Sequence, residues 1–171
     1  RITNHLLGVA SNAIKILRAH KKDEPHPLEM GQLYRGYHIA KFKPDKKEGL
    51  LHQTDHDDIP IQVEVVTMHE NQITETHYHS RTDVIIRILG DQLFKKPFRA
   101  WAQLDIDPEQ RQAKITSEAP AWFEVKHDMI MIIPKGTIHG FAVEAGGQLS
   151  FLSVQSPSII NGDTDDYIVI P

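Results

Sequence analysis

Through the first stretch of the chain, apolar residues recur at steps of three and four. Ile2, Leu6, Ala10, Ala13, Ile14 and Leu17 form one stripe, with Asn4, Asn12, Lys15 and Arg18 largely outside it. That spacing predicts an amphipathic α-helix over residues 2–19. Its stripe can dock on the chain's own sheet or on a second copy. Pro25, Pro27 and Gly31 then mark a connecting loop over 21–31. Beyond it the period shortens to that of strands. Runs rich in β-branched and aromatic residues predict strands at 33–42, 61–68, 74–79, 83–89, 99–105, 113–117, 121–125, 129–133, 139–144, 149–155 and 167–170. Turn signals divide them, among them Gly90-Asp91, Asp107-Pro108, Pro134-Lys135-Gly136, Gly146-Gly147 and Asn161-Gly162, and 43–58 reads as a polar loop. Many short strands without helix–strand alternation predict an all-β antiparallel sandwich or barrel preceded by one helix. The expected organisation is one domain, with helix and linker over 1–31 and the β-domain over 32–171.

Composition narrows the function classes. With 19 basic against 23 acidic residues and a net charge of -4, the chain offers no phosphate-tracking surface, so no nucleic-acid partner is expected. No apolar run approaches the roughly 20 residues of a membrane span, so no membrane partner is expected. The absence of cysteine excludes disulfides, thiolate metal sites and a cysteine nucleophile. The opening stretch lacks the layout of a signal peptide, and a cytoplasmic location is the expectation. Eleven histidines in 171 residues leave position as the informative variable.

The segment 74–90 reads Thr-Glu-Thr-His77-Tyr-His79-Ser-Arg-Thr-Asp83 and then runs on to Gly90. Successive side chains of a strand point to opposite faces, so His77 and His79 share one. Asp83 keeps their parity if the strand continues without a bulge. Two neutral imidazoles and a carboxylate suit one divalent ion such as iron, manganese, nickel or zinc. A second string, Pro134-Lys135-Gly136-Thr137-Ile138-His139, places a tight turn before a histidine that could swing back toward the first strand. Arg87 shares Asp83's parity and could anchor a substrate carboxylate or phosphate, or pair with an acid instead. Glu75 shares His77's parity and is a candidate catalytic base or hydrogen-bond acceptor, or a solvated surface acid. Phe141 reads as pocket lining. His52 and His56, among Asp55, Asp57 and Asp58, invite a second metal site but suit a solvated loop better. The other histidines, His38 and His69 among them, lack partners at ligand spacing. No phosphate-binding glycine loop, nucleophile elbow or metalloprotease helix is present.

These strings resemble the two motifs of the cupins, Gly-x5-His-x-His-x3-4-Glu-x6-Gly and Gly-x5-Pro-x-Gly-x2-His-x3-Asn. His77, His79, Asp83 and Gly90 fall in register with the first, and Pro134, Gly136 and His139 with the second. The resemblance covers roughly residues 60–156. It departs at Asn71 and Asp128, where each motif starts with glycine, at Val143, where the second ends with asparagine, and at Asp83, where the family has glutamate. Being one methylene shorter, Asp83 would bind directly only if its strand sits close, and otherwise through water. The segment 91–133, with Trp101 and Trp122, is longer than the family's minimal spacer and suggests an extra hairpin.

The resemblance implies a cupin double-stranded β-helix, a jelly-roll-like barrel, holding one divalent metal through His77, His79, Asp83 and His139. It also implies a family range of dioxygenases, decarboxylases, isomerases and lyases. The expected function is a metal-dependent enzyme of dioxygenase leaning, acting on a small anionic organic molecule as a homodimer. The alternatives are a non-catalytic metal- or ligand-binding sensor, an isomerase, lyase or decarboxylase of a small sugar or organic acid, and a metal-free sugar-modifying protein.

Overall fold

The apolar stripe of the opening segment becomes helix α1, Ile2–Ala19. The computed structural model describes residues 2–29, 31–34, 36–46, 61–90, 98–105, 120–157 and 166–170. The expected strand at 113–117 and the pair His52 and His56 lie outside them. Leu6, Val9, Ala13 and Ile14 are buried against the chain's own sheet, where they meet Val63, Val65, Ile85, Leu152 and Val154. Of the two docking modes open to the helix, it takes the intramolecular one.

Among the described residues, eleven strands form two antiparallel sheets. The first contains β1 (Gln32–Tyr34), β2 (Tyr37–Lys41), β3 (Gln62–His69), β10 (Gln148–Ser156), β5 (Asp83–Ile88) and β8 (Ile130–Ile133), in that order across the sheet. The second runs β11 (Tyr167–Val169), β4 (His77–His79), β9 (His139–Val143), β6 (Ala100–Leu104) and β7 (Trp122–Glu124). β6 and β7 pair through Trp101–Glu124 and Gln103–Trp122, extending the second sheet as the long inter-motif segment suggested.

Which residues face inward follows from two separate apolar clusters. One joins α1 to the odd-numbered positions of β3 and β5, on the outer face of the first sheet. The other joins Val66, Met68, Ile86 and Phe151 of that sheet to Phe141 and Val143 of the second, filling the space between them. Phe141 and Phe151 stack at 4.7 Å between ring centroids and so fix the level at which the sheets face each other.

The two positions that depart from glycine have a backbone explanation. Asn71 and Asp128 adopt φ of 64° and 58°. That left-handed conformation is normally glycine's, and Asn and Asp are the side chains that tolerate it best. The turn geometry is therefore kept without the glycine.

Candidate metal centre

β4 is only three residues long, and its alternation buries His77 and His79 while leaving Tyr78 between them partly exposed. β4 pairs with β9 through His77 and His139, one opposite the other. The turn before β9 is anchored to β4, because the Gly136 N–H donates to the His79 carbonyl at 2.7 Å, and it is closed internally by the Thr137 N–H on the Pro134 carbonyl at 3.1 Å. The two strings thus meet at one point. His77, His79 and His139 are 6%, 5% and 4% exposed, and their candidate ligand atoms lie within 4.8 Å of one another. Among the described residues no other group of three or more potential ligands is so gathered.

The donor set fits a metal ion. His77 Nδ1 donates to the Glu75 carbonyl at 2.7 Å, and His139 Nδ1 donates to the Thr137 carbonyl at 2.9 Å. His79 Nδ1 lies 3.2 Å from Asp166 Oδ2. Oxygens of these kinds accept and do not donate, so each ring carries its proton on Nδ1 and its lone pair on Nε2, the tautomer suited to ligation. Burial, followed by the neighbouring His139, lowers the His79 pKa to about 4 despite Asp166. Burial, followed by His77, lowers that of His139 to about 3. Both rings are neutral at pH 7, and no proton has to be displaced from them. An ion about 2.0–2.1 Å from each nitrogen places any two at most about 4.2 Å apart, so the trio need close by only roughly half an ångström.

Asp83 is not in this group. Between His79 and Asp83 the chain bends at Ser80 and Arg81 and passes from the second sheet to the first, which resets the parity. Thr82 and Val84 are buried, and Val84 belongs to the cluster between the sheets. Asp83 instead accepts a hydrogen bond from the Lys135 N–H at 2.9 Å, steadying the turn that carries His139. Arg87 follows the same parity and lies on the outer face, beside Ile85 and α1 residues such as Ile14, with its guanidinium 3.2 Å from Asp128. It is not an anchor inside the barrel. Glu75 is exposed, and its contribution to the site is its backbone carbonyl. Phe141 does line the interior.

The residue that sequence reasoning missed is Asp166. It is buried, and its carboxylate also accepts from the Arg81 N–H at 2.8 Å and the Thr82 hydroxyl at 3.1 Å. Tyr167, next in the chain, stacks on His77 at 4.1 Å between centroids. Asp166→Asn is expected to weaken divalent-metal affinity by about ten- to a hundredfold, the usual consequence of unsettling a ligand histidine's partner. Competition with a metal-sensitive dye measures it. Sequence spacing also overlooked the pair His38 and His69, whose ring nitrogens lie 3.1 Å apart on the surface.

The sequence matches no protein-family model and no curated protein, but the fold has many solved counterparts. One is the capsular polysaccharide assembling protein CapF from Staphylococcus aureus, with a TM-score of 0.54 and 11% identity over 88% of this chain. The chain spans about a third of that protein, 36% of its length. Another is the polyketide cyclase RemF from Streptomyces resistomycificus, with a TM-score of 0.50 and 16% identity, covering 85% of this chain and 91% of that one. A cupin superfamily protein from Desulfitobacterium hafniense also matches, at a TM-score of 0.45 and 12% identity over 83% of this chain and 98% of its own, too low to add weight. Two facing antiparallel sheets, with both histidine strings meeting between them, agree with the likenesses to CapF and RemF: the chain shares their fold, the two-sheet architecture that the cupin resemblance implies, and its His77–His79–His139 group could hold a metal ion.

Proposed function

We propose that this protein is a metal-dependent enzyme acting on a small organic molecule bound beside the histidine trio. The observation that carries the reading is the convergence of three buried imidazoles, each with Nδ1 tied to an oxygen acceptor. When bound, a divalent ion would supply Lewis acidity, or redox chemistry if it is iron, at the positions that three ligands leave open. The chain's own part is positional. Asp166 and the carbonyls of Glu75 and Thr137 keep the rings in one orientation, and the apolar layer around Phe141 and Phe151 keeps water from one side of the site. With iron the reading is a dioxygenase-type oxidoreductase, and with a non-redox ion it is an isomerase, lyase or decarboxylase. Fold likeness does not choose among them, because function is argued from the site. A homodimer and a cytoplasmic location belong to the same proposal. No helix among the described residues is long and apolar enough to cross a membrane.

The rival is a binding or sensor protein whose ion is enclosed by four protein ligands. Cobalt(II)-loaded protein separates the two. Azide is expected to change its visible absorption by entering an open position. A spectrum indifferent to saturating azide would overturn the enzyme reading in favour of a closed, structural ion.

A further inference from the structure

A buried polar patch faces the histidine trio from the opposite sheet. On β3, Gln62 and Glu64 share the parity of Val66 and Met68, which point between the sheets. On β10, Ser153 and Gln155 share the parity of Leu149 and Phe151. Register pairs Ser153 with Glu64 and Gln155 with Gln62, so the four form one patch. Its level in the barrel follows from the hairpin that joins β9 to β10. Counting back from that turn, Val143 matches Leu149, Phe141 matches its stacking partner Phe151, and His139 matches Ser153.

Glu64 is 7% exposed, and both its oxygens are engaged by amides. Gln62 Nε2 donates to Oε2 at 2.7 Å, and Gln155 Nε2 donates to Oε1 at 2.8 Å. Gln155 Nε2 also donates to the Ser153 hydroxyl at 2.9 Å. A carboxylate oxygen has two acceptor sites, so each keeps one for a further donor. Among the described residues, the cation nearest in register is Lys41, opposite Glu64 on β2 and on the same face, but it is exposed and forms no ion pair with Glu64. The donors around Glu64 are neutral amides, and Arg87 lies on the far side of its sheet. A carboxylate whose oxygens are held by amides and not by an ion-paired cation suits a ligand that brings hydrogen-bond donors and no negative charge.

We propose that Glu64, held in place by Gln62 and Gln155, accepts a hydrogen bond from a hydroxyl or N–H group of an uncharged substrate that reaches the histidine trio with another oxygen. Hydroxy ketones, enediols and sugars share that chemistry. The proposal rests on the trio being a metal centre and replaces an anionic substrate with a neutral one.

The test uses cobalt(II)-loaded protein and two chelating probes of similar size, titrated by visible absorption. Acetohydroxamic acid is uncharged in solution, chelates as a monoanion and keeps its N–H as a donor; oxalate is doubly charged and carries none. Glu64→Gln is expected to weaken acetohydroxamic acid by at least about tenfold, the loss of one hydrogen bond to a charged group, while oxalate binds as well or better. If Glu64→Gln fails to fold by circular dichroism, Ser153→Ala takes its place. It releases Gln155 and is expected to weaken acetohydroxamic acid by about threefold with oxalate unchanged. Equal effects on both probes, or none on acetohydroxamic acid, would overturn the role of Glu64 while leaving the metal centre standing. A wild-type protein that takes up no cobalt would overturn both.

Discussion

Metal-free protein is expected to lose folding stability steeply as pH falls from 6.5 to about 4. The cause lies in His79 and His139, whose folded-state pKa values of about 4 and about 3 stand below the ordinary 6.5. Below pH 6.5 the unfolded chain takes up protons at both rings while the folded chain does not. Stability then falls by up to about 1.4 kcal/mol per pH unit for each ring, and the fall ends once pH has passed through the folded values. Together the two rings remove on the order of several kcal/mol, a large part of the stability of a single domain. Carboxylates titrate over the lower part of the same range. Urea unfolding of the wild type is therefore compared with that of the double variant His79→Gln with His139→Gln, and the difference belongs to the histidines. A difference that stays constant between about pH 7 and about pH 4 would contradict the buried, neutral state of His79 and His139.

The second large effect concerns the metal. His139 is the only member of the trio from the second string, and its ring nitrogen completes the set offered by β4. His139→Ala is expected to weaken divalent-metal binding by well over the roughly hundredfold that marks the loss of a ligand's hydrogen-bonding partner. Asp83→Ala, which removes only the acceptor for the Lys135 N–H, should leave affinity within about tenfold of the wild type. Calorimetric titration with zinc ranks the two. An Asp83→Ala loss as large as that of His139→Ala would restore Asp83 as a ligand.

The candidate ligands were legible because strand parity is a local property. His77 and His79 needed only two-residue alternation on one strand, and His139 only a turn followed by a strand. Parity failed at Asp83 and Arg87 because the bend at Ser80 and Arg81 carries the chain into the other sheet. Counting by twos does not survive such a crossing. Asp166 left no periodic signal: it sits in an acidic, turn-like stretch far along the chain and reaches His79 only through the pairing of β11 with β4. Glu64 was hidden for a different reason. The strand predicted over 61–68 carries apolar residues on both of its faces, and α1 covers the outer side of that sheet. The burial of Val63 and Val65 is therefore against the helix, and the polar positions are the ones that turn inward. The helix stripe itself was readable from its first residues, and so were most strands, since both depend on neighbours a few positions away.

Elemental analysis of freshly purified protein tests the central claim most directly, with the wild type measured beside the double variant His77→Ala with His79→Ala. The expected result is about one divalent metal ion per chain in the wild type and close to none in the variant. The same metal content in both proteins would show that the ion, if present, is held elsewhere and that the histidine trio is not its site.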